Sequence, residues 1–199
     1  MRVRSIAGIL VAAGALLAAT GAGAVSPWDP EGRYDGGAPT GRSYSLFGGA
    51  ASPVPRSTVT YPANYAAGTI VINTAERRLY YLLGNGQAIR YGIGVGRPGF
   101  TWSGVRTVSL KREWPDWTPP GQMLRRRPDL PRHMRGGPEN PLGARAIYLG
   151  SSLYRIHGSN EPETIGQAVS SGCFRLTNED VIDLYSRVRV GTTVIIRQQ

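Results

Sequence analysis

Thr69-Ile70-Val71-Ile72-Asn73, followed by the polar turn Thr74 to Arg77 and then Arg78-Leu79-Tyr80-Tyr81-Leu82-Leu83, is the stretch from which the architecture follows. Both apolar runs are short and rich in β-branched or aromatic side chains, which suit a pleated, half-buried surface, so they read as two strands of a hairpin. Gly84-Asn85-Gly86 supplies the next tight turn, since glycine and asparagine tolerate the left-handed backbone such turns need. Ala88 to Val95 reads as a third strand, with Ile89, Tyr91, Ile93 and Val95 on one face and Arg90, Gly92 and Gly94 on the other. A further strand from about Val105 to Arg112 extends this meander.

Downstream, the pattern breaks. Glu113 to Leu142 holds seven prolines, three consecutive arginines at Arg125 to Arg127, and no sustained period. Trp114, Trp117, Met123 and Leu130 would be costly to leave in water, so this long loop is expected to be ordered, packing over the sheet and edging a site. His133 within it reads as a solvated loop histidine. Ala146 to Leu149 and Leu153 to Ile156 form a hairpin around Gly150-Ser151-Ser152, which delivers His157 at its end, where Gly158 permits a sharp exit. A single helical turn is expected near Pro162 to Gly166. One clear helix follows, capped by Thr177 or Asn178, with Glu179 and Asp180 in its first turn and Val181, Leu184, Tyr185 and Val188 at helical spacing. Thr193 to Ile196 is a last strand. The sum is a mainly β fold, a β-sandwich or partly open barrel, with one helix in the C-terminal half and a long Pro-rich loop.

Upstream, Arg2 and Arg4 precede an apolar run from Ile6 to Ala19, and Ala22-Gly23-Ala24 offers small residues for cleavage. Residues 1–24 therefore read as a signal peptide, since about 14 apolar residues fall short of the roughly 20 that span a bilayer. The expectation is an exported protein, periplasmic and wall-associated, with no stable membrane insertion. Residues 25–67, rich in Gly, Pro, Ser and Ala, read as a disordered linker, and residues 68–199 as one domain with its own core. Without Arg2 and Arg4 the chain has 21 basic against 13 acidic residues, a net charge of +8. That balance favours anionic surfaces. Nucleic acid is not expected as a partner, because no recognition motif appears. Scattered carboxylates beside one histidine lack metal-site spacing, so neither metal nor cofactor is expected.

Cys173 is the only cysteine, in Ser170-Ser171-Gly172-Cys173-Phe174-Arg175. An isolated cysteine is usually a buried core residue. Here two serines and a glycine precede it and an arginine follows, which argues against an apolar run. Arg175 shares its side if the segment is extended and would favour the thiolate. The N–H groups of Gly172 and Cys173 are candidate oxyanion donors. His157 lies 16 residues earlier, a spacing suited to two adjacent strands, and Cys plus His is the minimal activated nucleophile.

His157-Gly158, a loop, then Ser-x-Gly-Cys-x-Arg resembles the signature of the L,D-transpeptidase catalytic domain family, the YkuD-like enzymes of the bacterial cell wall. The resemblance runs from about Gly68 to Ile196 and takes in a Gly-Val-Gly-Arg-Pro turn and Asn140-Pro141-Leu142-Gly143. It implies Cys173 as nucleophile, His157 as general base and Gly172 in the catalytic frame. Arg175, Ser170, Ser171 and Gly158 fall on the substrate side, and Ser171 stands where many members carry histidine. The implied substrate is a peptidoglycan tetrapeptide stem that loses D-Ala. Its acyl group would pass through a thioester to an amine of a second stem or of an outer-membrane lipoprotein. Attack by carbapenems at the same thiol is also implied. Two other readings stay open, a carboxypeptidase that gives the thioester to water and a non-catalytic wall-binding module.

Overall fold

The computed structural model describes residues 52–62 and 64–199. The expected signal peptide and the linker as far as residue 51 lie outside the described residues. The strands are β1 (Ser57–Thr60), β2 (Ile70–Asn73), β3 (Arg78–Gly84), β4 (Gln87–Gly92), β5 (Val95–Gly96), β6 (Gly104–Glu113), β7 (Arg145–Leu149), β8 (Arg155–His157), β9 (Ala168–Ser170), β10 (Phe174–Arg175) and β11 (Thr193–Arg197). Two α-helices accompany them, α1 (Gly121–Arg126) and α2 (Asn178–Arg187), with a single 3-10 turn at Pro162–Thr164 where a helical turn is expected.

Among the described residues nine strands run in the order β1-β4-β3-β2-β11-β6-β7-β8-β10, while β5 and β9 form a separate parallel pair. The long strand β6 is the pivot. Its first part, Gly104 to Thr107, pairs with β11, and its second part, from Val108 on, pairs with β7, with a register shift between Val108 and Leu110. It therefore belongs to two leaves, and the order keeps two free ends. The mainly β, unclosed architecture is the one expected from the strand pattern.

One cluster of buried side chains joins the leaves. Ile70, Ile72, Leu79, Tyr91, Val194 and Ile196 from the first meet Ile147, Leu149, Ile156 and Phe174 from the second, with Val181, Leu184 and Val188 of α2 beside them. Each such side chain contributes roughly 1.5–3 kcal/mol on burial. Thr177 caps α2, its Oγ accepting the Asp180 N–H at 3.2 Å, which fixes where the chain turns from β10 into the helix.

β2 is buried on both faces. Its outer face, with Val71, Tyr80, Leu82 and Ala88, is covered by Val59 and Tyr61. Val59 lies on β1, which pairs antiparallel with β4, and the Tyr61 and Tyr80 ring centroids are 4.5 Å apart. The linker reading thus fails over Ser57–Thr60. The six residues between Pro55 and Pro62 carry little apolar content, but Val59 and Tyr61 supply the apolar face that the outer side of the sheet needs.

The Pro-rich excursion is ordered, and it contains α1 where no helix was expected. Trp117 and Met134 exchange two backbone hydrogen bonds of 2.8 Å across its base. Asn140, 1% exposed, ties it down: Nδ2 donates to the carbonyls of Pro115 at 3.1 Å and Arg135 at 2.9 Å, and Oδ1 accepts the Leu142 N–H at 2.9 Å. Among the described residues no helix is long and apolar enough to cross a membrane.

Candidate active site

β8 and β10 lie parallel, with Phe174 opposite Ile156 and Arg175 opposite His157. Cys173 enters β10 one residue earlier, level with Arg155. Because side chains alternate along strands, Cys173 and Arg175 point to the same side as Arg155 and His157. The other edge of β10 is held by Gly94, which exchanges two 2.9 Å backbone hydrogen bonds with Arg175. A Cβ on Gly94 would sit 3.3 Å from the Arg175 Cβ, and one on Gly96 only 2.4 Å from the Phe100 carbonyl oxygen. The Gly-Val-Gly-Arg-Pro turn is glycine-rich because two backbones and an arginine stem pass close to it.

The turn that presents the thiol is built around Gly172. Its φ is +109°, and a Cβ there would lie 2.5 Å from Cε1 of Tyr154. The Trp102 indole stacks on that Tyr154 ring at 4.4 Å and donates its N–H to the Gly172 carbonyl at 2.8 Å. From the other side Ser170, 4% exposed, donates its hydroxyl to the Cys173 carbonyl at 2.6 Å and accepts the Gly172 N–H at 3.0 Å. That last bond corrects an expectation: the Gly172 amide is engaged by Ser170 and does not face the cavity as an oxyanion donor. The Cys173 amide is the candidate that remains.

His157 is 4% exposed, and its Nδ1 lies 2.6 Å from the Gly158 carbonyl. A carbonyl only accepts, so Nδ1 carries the proton and Nε2 keeps its lone pair. Burial, with the positive charge of Arg175 next in weight, pushes the imidazole down to about 3 despite the Gly158 bond. The Cys173 thiol, partly exposed and 3.8 Å from the Leu153 carbonyl, is pushed up by burial. The Arg155 N–H and the charges of Arg155 and Arg175 pull it down, but burial outweighs them. The expectation that Arg175 favours the resting thiolate is corrected accordingly. Both directions favour the neutral forms at rest, thiol and imidazole.

A cavity of about 590 Å³ opens above this floor, and Cys173, His157, Ser170, Ser171 and Arg175 all line it. Gly158 does not; a Cβ there would meet the Asn178 Oδ1 at 2.3 Å and the Ala144 N at 3.1 Å. Its expected substrate-side role gives way to a structural one, because the chain passes between β7 and α2 there, and Asn178 Oδ1 already accepts the Ala144 N–H at 2.8 Å. The roof comes from the Pro-rich excursion, through Trp117, Met123, Arg126 and Leu130. Guanidinium groups of Arg97 and Arg126 lie 4.4 and 5.2 Å from the Phe100 ring centroid. Arg175 is paired with Glu161, Nη1 to Oε2 at 2.9 Å. Trp102, Tyr154, Phe100 and Glu161 had no assigned role from sequence; only the isolated Trp102 beside a Gly-rich turn gave a signal. His133 is away from the thiol, half-exposed and 3.3 Å from Asp116. Among the described residues no group of three or more His, Cys, Asp or Glu is placed to hold a metal.

The site thus places a buried, tautomer-fixed histidine and a thiol on one face of paired strands, under an arginine-lined roof. The family described as YkuD, L,D-transpeptidase catalytic domain, matches residues 67–196. The chain belongs to that family. It is 43% identical over 139 residues to the Probable L,D-transpeptidase ErfK/SrfK of Escherichia coli (strain K12), covering 65% of this chain and 44% of that protein. To the Probable L,D-transpeptidase YbiS of the same organism it is 42% identical over 134 residues, covering 63% and 43%. The chain thus matches less than half the length of these relatives. Among solved structures, an L,D-transpeptidase from Mycobacterium smegmatis aligns with a TM-score of 0.54 at 18% identity, over 66% of this chain and 59% of that one. One from Mycobacterium tuberculosis aligns at 0.50 and 20%, over 66% and 58%. At these identities the two structures speak for the fold.

Proposed function

We propose that the protein is a peptidoglycan L,D-transpeptidase acting outside the cytoplasmic membrane, with Cys173 as nucleophile and His157 as base. The observation that carries this reading is the His157 geometry: Nδ1 is committed to the Gly158 carbonyl, so Nε2 is the basic nitrogen, and it stays neutral on the side of the strand pair where Cys173 stands. Nε2 takes the thiol proton as the sulfur attacks the carbonyl of the third stem residue. The Cys173 amide stabilises the oxyanion. The C–N bond to D-Ala breaks, and the imidazolium returns its proton to the departing amine. An acceptor amine then attacks the thioester, gives a proton to His157, and leaves an amide and the restored thiol. The acceptor is a second stem, or alternatively a lipoprotein.

The test is mass spectrometry of disaccharide-tetrapeptides incubated with the protein, beside a Cys173→Ala control. Dimers joined through third residues and absent from the control support transpeptidation. Tripeptide without dimers points to hydrolysis or to a different acceptor. No product, with Cys173 also unreactive toward a carbapenem, contradicts the enzymatic reading and leaves a wall-binding module.

A further inference from the structure

Arg175 is under-used where it stands. It is only 20% exposed, yet one Nη of its fork meets the Glu161 carboxylate and its Nε is shielded from water without any partner. A guanidinium removed from water is stabilised when several of its donors are satisfied, ideally by a carboxylate taking two of them at once. Glu161 meets it through Oε2 alone, and its carboxylate side chain is 52% exposed. The Glu161 backbone, by contrast, is fixed: its N–H donates to Ser159 Oγ at 2.9 Å and its carbonyl accepts the Thr164 hydroxyl at 2.7 Å. A rigid backbone carrying a loosely held carboxylate over a shielded guanidinium is the arrangement of a removable plug.

We propose that Arg175 receives the free terminal carboxylate of the acyl donor and that Glu161 occupies this position until the donor displaces it. The proposal rests on the acyl-transfer reading above and names its recognition element. Three placements support it. Arg175 and Glu161 both line the cavity with Cys173. Arg175 stands two residues beyond Cys173 on the same side, about 6.6 Å along the strand. The carboxylate of a single leaving residue lies about 3.5 Å past the attacked carbonyl, within reach of a guanidinium projecting from that position. Arg175 also stands opposite His157 in the register of β8 and β10, beside the atoms proposed to react. A donor ending one residue after the scissile bond would therefore be preferred to one whose terminus is neutral.

The experiment compares kcat/KM for a tetrapeptide donor with a free terminal carboxylate against the same donor as its terminal amide, with a donor amidated on an internal carboxylate as control. Wild type is expected to prefer the free acid about tenfold or more, the effect of one charge-assisted hydrogen bond, and to be far less sensitive to the internal amide. Glu161→Gln should raise the acid-to-amide ratio, through a lower KM for the acid. Arg175→Gln should bring the ratio near one, and Arg175→Lys, which keeps charge but loses the fork, should fall between. Because a ratio is read, the general influence of Arg175 on His157 and Cys173 cancels. Glu161→Gln alters an exposed side chain, so it carries the test even if Arg175→Gln does not fold. A wild-type ratio near one, or a ratio that falls in Glu161→Gln, overturns the proposal; in the second case Glu161 only steadies Arg175. If neither donor is consumed and no carbapenem adduct forms on Cys173, the acyl-transfer reading fails and takes the proposal with it.

Discussion

The floor and the roof of the cavity are built by different means. The floor is a backbone ladder: β8 and β10 pair in register, Gly94 holds the far edge, and the fold core presses on the back through Ile156 and Phe174. The roof, between Glu113 and Leu142, is held by one short helix, a two-bond bridge, the buried amide of Asn140 and a few buried apolar side chains such as Trp117 and Leu142. The two histidines mirror the contrast, His157 buried and locked to a carbonyl, His133 half-exposed beside Asp116. The atoms proposed to react stand on a paired-strand ladder, and much of the cavity's roof is shaped by a segment held largely through side-chain bonds.

Changes at the floor should remove chemistry before they remove the fold. Cys173→Ala should abolish product formation, and His157→Gln should lower kcat/KM by roughly 10²–10⁴-fold, the usual worth of a positioned base. Steady-state rates beside thermal melts check that the Cys173→Ala protein still melts cooperatively. If both variants kept wild-type rates, the floor would not be the site of reaction.

The next effect is one of pH. His157 is depressed from 6.5 to about 3 in the folded protein, so the unfolded chain binds more protons between those values and stability falls as pH drops through that window. Asp180 has the opposite sign, because burial raises it to about 6 and its contribution is lost as pH rises. It is common to wild type and His157→Gln, so their difference isolates the imidazole. Between pH 7 and pH 4 wild type should lose on the order of 3 kcal/mol more stability than the variant, read by denaturant titration. An equal loss in both would show that His157 is not held neutral.

Gly172→Ala follows, costing about 3 kcal/mol from its positive φ and the contact with Tyr154, with a loss of rate disproportionate to the fall in Tm. At the roof, Asn140→Ala should cost about 2 kcal/mol by stranding the Pro115 and Arg135 carbonyls and should open residues 113–142 to limited proteolysis while Cys173 alkylation changes little. Proteolysis that spread into β7 and β8 instead would mean floor and roof unfold together, and the contrast would fail.

The floor was largely legible in the sequence, and the roof was not. The short apolar, β-branched and aromatic runs from Ile70 to Val95 and the spacing of Val181, Leu184 and Val188 are strong signals, because such side chains must be buried. Cys173, His157, Ser170, Ser171 and Arg175 could be singled out from residue type and order, and the structure gathers them on one cavity. What pairs with the Gly172 amide could not be read, since a serine two residues away can turn its hydroxyl in or out. The balance at the thiol was also misjudged, because sequence displays Arg175 but not the burial that outweighs it. β1 was hidden by its length, and the roles of Trp102, Tyr154 and Glu161 come from contacts across 70, 18 and 14 residues of chain.

The central claim, that Cys173 and His157 rest as a neutral pair on the floor, is tested most directly by the pH dependence of Cys173 alkylation. As the sole cysteine, it can be followed by iodoacetamide labelling and intact mass without any other variant. A rate that keeps rising past pH 9, with no plateau below it, is the result expected for a thiol whose burial outweighs its two arginines. An inflection below pH 7 followed by a plateau would reveal a resting thiolate–imidazolium pair and contradict the account.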